Sequence, residues 1–192
     1  MRNCEMFHAE IKWMMAVSIL TGIFALATFS AQAEPVTVKI IHVQDGDTVT
    51  ALMPSTEHLR IRIAGIDAPE SRQDFGTRSR QMLTRLVKGK AVQAEALSQD
   101  RYGRYVAVLT LNGGDVGLAM ISAGLAWAYR DFFKDLPDGY AEAYEQAESE
   151  ARQSGRGLWG SPYPMEPWKW RRVYREMREK GRAAGKSSSF PE

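Results

Sequence analysis

Apolar and polar residues alternate at the two-residue period of a strand through much of residues 36–111, and helical spacing takes over beyond them. Residues 34–53 read as two strands joined by a tight turn. Val36, Val38, Ile40 and Ile41 lead into Val43, Asp45-Gly46-Asp47 interrupts, and Thr48-Val49-Thr50 resumes the β-type composition. Asp-Gly between two β-rich runs is a hairpin signal, because both residues tolerate the backbone a tight turn needs. Pro54, Ser55 and Thr56 mark a second turn before a third strand over residues 57–66, where Arg62 alternates with Ile61 and Ile63. Pro69 has no N–H to donate and biases Ala68 away from helix, so the chain leaves the sheet extended. After a polar loop at 71–74, residues 75–87 predict a helix with Met82, Leu83, Leu86 and Val87 on one side and Arg78, Arg80 and Arg85 toward solvent. Gly89 closes it.

Residues 91–97 and 105–111 are two more alternating strands, joined by SQDRYGR. A short apolar helix at 115–122, a brief extended piece at 127–129 and an Ala- and Glu-rich helix at 137–153 follow, the last ended by Gly155 and Gly157. The Pro- and Trp-rich segment GLWGSPYPMEPWKW then leads into a basic amphipathic tail that reads as disordered from Ala184. Five strands with a helix between the third and fourth is the order of an OB-type barrel. The expected class is α+β: a five-stranded OB-fold β-barrel with about three packed helices plus a C-terminal basic helix.

Composition changes the picture at the two ends. The chain has 192 residues and a net charge of only +2, which favours no class of partner. The basic excess is local: residues 169–192 hold eight Lys or Arg against three Glu. Residues 13–29 are uncharged and mostly apolar, with Arg2 and Lys12 before them and the small-x-small pattern Ala31-Gln32-Ala33 after. Residues 1–33 therefore read as an export signal cleaved after Ala33, leaving a secreted or periplasmic protein with no membrane attachment. An uncleaved N-terminal membrane anchor is the alternative, because the run is near the lower length for a spanning helix. The one cysteine, Cys4, falls inside this segment, so the mature chain has no disulfide and no cysteine metal site. Three regions result: the signal at 1–33, a barrel domain at 34–162, and a Pro/Trp-rich, basic extension at 163–192.

Three strand ends carry unusual chemistry. Asp45-Gly46-Asp47-Thr48 and Asp100-Arg101-Tyr102-Gly103-Arg104 each lie beside a glycine, and Arg62, Asp67 and Glu70 cluster where the third strand ends. Asp47, Asp67 and Glu70 would repel one another if gathered, and a divalent cation removes that difficulty. Oxygen ligands suit a hard ion such as Ca²⁺ or Mg²⁺, and no Cys or paired His offers a zinc site. Asp45 and Asp47 also read as plain turn residues. Arg62 and Arg104 are either surface ion-pair partners or bidentate clamps on a phosphate, and Tyr102 is either a turn residue or an aromatic that contacts a nucleotide. Carboxylates for a metal, a candidate base and two arginines together are what phosphodiester hydrolysis requires.

DGDTV, RIRIAGIDAPE and DRYGR, in that order, resemble the three signature stretches of the staphylococcal nuclease family, and GLAWAY and GLW resemble its later segments. The resemblance implies an OB-fold, calcium-dependent nuclease that cleaves DNA and RNA, acts as a monomer without an obligate protein partner, and leaves 3′-phosphates. It implies Asp47 and Asp67 as ligands of one Ca²⁺ ion, with the backbone carbonyl of Ala68 a third contact; two carboxylates would hold Mg²⁺ as readily. Glu70 matches the family's general base, Arg62 and Arg104 its phosphate-gripping arginines, Asp45 an acid behind the ligands, and Arg101 and Tyr102 its nucleotide-phosphate contacts. Two features depart from the staphylococcal pattern. The loop after Glu70 runs almost directly into Phe75, so the long substrate-side loop is missing. The tyrosine expected after GLA is offset, with Tyr129 one residue early and Arg130 in its place; Tyr129 is carried over as a substrate contact on that footing. PWKWRR lies outside the family pattern; its tryptophans are expected to pack on the barrel and its basic helix to add non-specific affinity for polyanions. A non-catalytic OB module that binds single-stranded nucleic acid is the competing reading, and the retained acids and arginines speak against it.

Overall fold

The computed structural model describes residues 34–187. The expected export signal, its cleavage site and Cys4 lie outside the described residues, and among the described residues no helix is long and apolar enough to cross a membrane. Five strands form the barrel: β1 (Val36–Val43), β2 (Thr48–Leu52), β3 (His58–Ile63), β5 (Ala91–Gln99) and β6 (Tyr105–Leu111). They lie in the order β3-β2-β1-β5-β6, and β3 closes the sheet by pairing in parallel with β6, Arg62 opposite Val106. A short strand β7 (Gly114–Asp115) continues the sheet beyond β6.

The alternation of each strand sends one face inward. Val38, Ile40, Val49, Ile61, Ile63 and Leu109 fill the barrel. In β1 the inward step from Ile40 to Val43 is three residues rather than two, and a register shift between Ile40 and His42 absorbs the extra residue. Helix α1 (Gly76–Val87) packs Leu83 and Val87 into the same core, and α2 (Val116–Ser122) adds Met120 and Ile121. Asp115 caps α2, its carboxylate accepting from the Gly117 N–H at 2.7 Å.

The strand expected over residues 57–66 is shorter and broken. It ends at Ile63, and Gly65 turns the chain at φ 68 before a separate two-residue strand β4 (Ile66–Asp67). A glycine fits here because its φ is left-handed and a Cβ would run into Leu136 and Tyr144. Strand β4 pairs with β8 (Trp127–Ala128), Asp67 opposite Trp127, so the turn hands Asp67 from the barrel to a second small sheet. The helix expected from residue 137 starts later, as α3 (Tyr140–Gln153), because Gly139 at φ 83 precedes it; a 3-10 turn at Arg130–Asp135, unmarked by any apolar period, fills the gap. The C-terminal helix α4 (Pro167–Ser187) carries the expected basic face, and it runs through 184–187, which composition alone reads as disordered.

Glu148 of α3 ties these layers together. It is buried, accepts from the Ala128 N–H at 3.0 Å, and takes Arg130 and Arg152 at 3.1 and 3.3 Å. Glu148→Ala leaves the buried Ala128 N–H without its acceptor and removes one ion-pair partner from each arginine, a loss of about 1–3 kcal/mol. A urea unfolding curve with a midpoint unchanged from the parent would contradict this role.

Candidate active site

The carboxylates come first because they are the hardest groups to bury. Asp47 is 4 % exposed and Asp67 0 %. Asp47 sits where the β1–β2 turn folds back: its Oδ1 accepts from the Thr48 hydroxyl at 2.7 Å and its Oδ2 from the Ala68 N–H at 3.1 Å. Arg62 joins the two acids, with Nη1 3.0 Å from Asp47 Oδ2 and Nη2 2.8 Å from Asp67 Oδ1. Burial works to raise the Asp47 carboxyl, but Arg62, the Thr48 hydroxyl and the Ala68 amide together hold it below the usual carboxylate value. Burial, with Asp47 beside it, pushes the Asp67 carboxyl up against the pull of its arginines. Asp45 is both turn residue and site neighbour. Its carboxylate accepts from the Asp47 N–H at 3.1 Å, and burial next to Asp47 pushes it up to about 7.

The third stretch reaches the same point from the loop between β5 and β6. Asp100 anchors its loop, accepting from the Tyr102 and Arg104 N–H groups at 2.8 and 3.0 Å. The Asp100 Oδ2 also takes Arg104 Nε and Nη2, both at 2.8 Å, which aims Nη1 at the Thr48 hydroxyl 3.4 Å away. Arg101 and Tyr102 stand farther out, Arg101 4.9 Å over the Tyr102 ring and Nη2 donating to its hydroxyl at 2.8 Å. Tyr129 lines the inner wall, where Trp168 stacks on its ring at 5.2 Å, so one face is already covered. One cavity of about 830 Å³ is lined by Asp45, Asp47, Arg62, Ala68, Glu70 and Arg104, and also by Arg101, Tyr102 and Tyr129. Asp67 lies buried behind that wall.

A fourth contribution was not foreseen in the sequence. Arg171 of α4 reaches the site from the far end of the chain, placing Nη2 2.8 Å from Asp67 Oδ2 and Nη1 3.1 Å from Asp67 Oδ1 and 2.8 Å from Glu70 Oε1. The basic, amphipathic character of the tail was the visible signal, but helical spacing names a face and not the surface it docks on. The docking is set by Trp168 against Tyr129 and Trp127, by Arg72 donating to the Tyr174 hydroxyl at 2.6 Å, and by Gln73 donating to the Met165 carbonyl at 2.6 Å. The expected packing of the tryptophans holds for Trp168, whereas Trp170 stacks on Tyr174 within α4 itself.

The donors near Asp47 and Asp67 are all hard oxygen, which fits Ca²⁺ or Mg²⁺ and not a soft metal. Among the described residues no group of three or more His, Cys, Asp or Glu side chains is arranged to hold a metal ion. In this structure the Asp47 oxygens are paired with the Thr48 hydroxyl, the Ala68 N–H and Arg62, and the Asp67 oxygens with Arg62 and Arg171.

A small closed barrel with acids and arginines gathered at one mouth is the architecture of a phosphodiester-cleaving enzyme. The family model described as staphylococcal nuclease homologue matches residues 60–161. A micrococcal nuclease of Shigella flexneri is 40 % identical over 167 residues, covering 82 % of this chain and 89 % of that protein. A Haemophilus influenzae protein named as an uncharacterized endonuclease is 35 % identical over 156 residues, 80 % of this chain and 84 % of its own. The staphylococcal-like nuclease CAN1 of Arabidopsis thaliana is 41 % identical over 113 residues, 59 % of this chain and 33 % of that longer protein. The chain belongs to the staphylococcal nuclease homologue family and is a phosphodiester hydrolase.

The turn that presents Glu70 is held by backbone. The Gln73 N–H donates to the Glu70 carbonyl at 2.8 Å, and the Gly76 N–H to the Gln73 carbonyl at 3.0 Å. A Cβ on Gly76 would run into the Glu70 carbonyl oxygen. Gly76→Ala must therefore displace the Glu70 backbone; under the role proposed for Glu70 below, a misplacement of about 1 Å costs on the order of 10²-fold in rate. Steady-state kinetics of a folded Gly76→Ala protein at parental rate would show that Glu70 does not need this turn.

Proposed function

We propose that the protein is an exported, Ca²⁺-dependent, sugar-non-specific nuclease that hydrolyses DNA and RNA and leaves 3′-phosphates, acting as a monomer. The observation that supports this reading most is the shared cavity: Asp47, Arg62, Glu70 and Arg104, from three separate stretches, line one space of about 830 Å³. Asp47, Asp67 and the Ala68 carbonyl would hold the cation, and Mg²⁺ fits the same donors. Bound there, a divalent cation supplies charge to polarise a phosphoryl oxygen.

The chain's own groups account for the rest. Glu70, held at Oε1 by Arg171, takes the proton of the attacking water with its other oxygen. Arg62 and Arg104 offer N–H donors to the phosphoryl oxygens as their charge builds. Arg104 is pre-set for this by Asp100, and Arg62 by Asp47 and Asp67, so little reorganisation is needed when the phosphate arrives. The 5′ oxygen departs, protonated by solvent. Asp45 helps fix Asp47 through its backbone, and Arg101, Tyr102 and Tyr129 contact the neighbouring nucleotide.

Arg104→Gln and Glu70→Gln sit at half-buried positions and leave the Asp47–Arg62–Asp67 cluster intact. Each is expected to keep the parental unfolding curve; Arg104→Gln loses about 10²–10³ in turnover, the scale for removing one charge-stabilising donor, and Glu70→Gln about 10²–10⁴, the scale for removing a general base. Gel assays on single-stranded DNA and on RNA, with Ca²⁺ and with a chelator, read both variants and the metal requirement. Parental cleavage by both variants would discard the assigned roles, and retained binding without any cleavage by the parent would favour a non-catalytic module.

A further inference from the structure

Beyond the site lies a second groove, of about 620 Å³, between the turn after Glu70 and the exposed face of α4. Its walls carry Arg72, Arg171, Arg175, Arg178 and Arg182, with the stacked Trp170–Tyr174 pair. The α4 arginines recur at steps of four, three and four residues, the spacing of one helix face. From Arg171 to Arg182 that row is about 16 Å long at the ordinary helical rise. The helix as a whole holds eight Lys or Arg and two Glu, and of the two only Glu179 lines the groove. Glu70, Arg171 and Arg175 line both this groove and the catalytic cavity, so the two are continuous. All four arginines of the row lie past the matched family region, which ends at residue 161.

We propose that this groove is a backbone-binding subsite for a single polynucleotide strand, gripping the phosphates beyond the scissile one. The inference rests on the nuclease reading and deepens it: the enzyme is built for polymers rather than for short fragments. Charge complementarity selects the occupant. A row of guanidinium groups at the mouth of a phosphodiester site meets a chain with one charge every few ångströms, about 3.4 Å of axis per phosphate on one strand of a duplex. Trp170 and Tyr174 add aromatic surface beside the row, of the kind on which single-stranded bases stack. Arg171, held by Asp67 and Glu70, fixes the row to the site, so a strand leaving the scissile phosphate is delivered directly onto Arg175, Arg178 and Arg182.

The test uses the whole mature chain. The double variant Arg178→Gln/Arg182→Gln changes two exposed side chains that do not line the catalytic cavity. Arg172→Gln/Lys180→Gln removes the same charge from α4 away from the groove and is the control. Binding of a fluorescent single-stranded 20-mer, measured by anisotropy in chelator across a salt series, does not depend on cleavage. Loss of two phosphate contacts lowers the slope of log affinity against log salt by about 1.4, from about 0.7 per single-strand contact. The expected result is that fall in the groove variant and not in the control, a KM on the 20-mer raised several-fold, and a parental rate on a dinucleotide too short to reach the groove. An equal fall in both variants, or no fall in either, overturns the subsite. A parent that binds the 20-mer with the expected variant pattern but never cleaves supports the subsite and removes the nuclease mechanism.

Discussion

Two carboxylates buried side by side against one guanidinium constrain the rest of the molecule. Taking Asp47 and Asp67 out of water is costly, and their mutual repulsion adds to the cost unless a cation lies between them. Arg62 meets that need only if three pieces of backbone hold still: the β1–β2 turn, the end of β3, and the β4–β8 pair. The Ile63 N–H donates to the Asp47 carbonyl at 2.8 Å and the Tyr129 N–H to the Gly65 carbonyl at 2.8 Å, so the turn, the strand end and the small sheet are laced together by backbone. Apolar replacements of such ionic clusters often stabilise a fold. A barrel mouth that keeps acids there is shaped by chemistry more than by stability, in line with the tendency of perturbed ionisable groups to gather at working sites.

Ion pairs fix the orientation of both arginines. A free arginine at a surface samples many rotamers, and a phosphate would have to select one. Here Arg62 is held by two acids and Arg104 by Asp100, so each fork keeps one orientation, as the proposed phosphate contacts require. Each guanidinium has five N–H donors, and the pairs described leave some of them over for oxygen. Preorganised donors of this sort stabilise developing charge without a reorganisation cost at the moment of reaction.

How much of this was legible in the sequence follows from how local each signal is. The strands, their order and α1 were readable, because alternation, Asp-Gly and helical spacing act over a few residues. The three stretches DGDTV, RIRIAGIDAPE and DRYGR were readable as a set, because acids and arginines recur together at three strand ends, and the structure brings residues of all three to one cavity. The split of β3 from β4 was harder: Gly65 is a plain turn signal, but Ile66 beyond it looks like more strand until Trp127–Ala128 is known to pair there. The 3-10 turn at Arg130–Asp135 has no period to read. Arg171 was out of reach for a different reason, since its partners lie 101 and 104 residues away and nothing in an amphipathic helix names its docking surface.

The charges at the mouth carry one further consequence for the proposed reading. Asp47, Asp67 and Glu70 supply three negative charges, and Arg62 and Arg171, which pair with them, supply two positive ones. The cluster is therefore close to balanced, one negative charge in excess, with the Asp45 carboxyl pushed up to about 7 beside it. A divalent cation alone would overshoot that balance by one positive charge, and a phosphodiester brings one negative charge. In a half-buried site, where unscreened charge is expensive, each then favours the other's presence. Arg171 is the natural adjustable element in that balance, because it comes from a helix outside the barrel and pairs with both Asp67 and Glu70. A cation would compete with Arg171 for the two acids and a phosphate would compete with the acids for Arg171, and the same helix carries the row of arginines proposed to meet the rest of the strand.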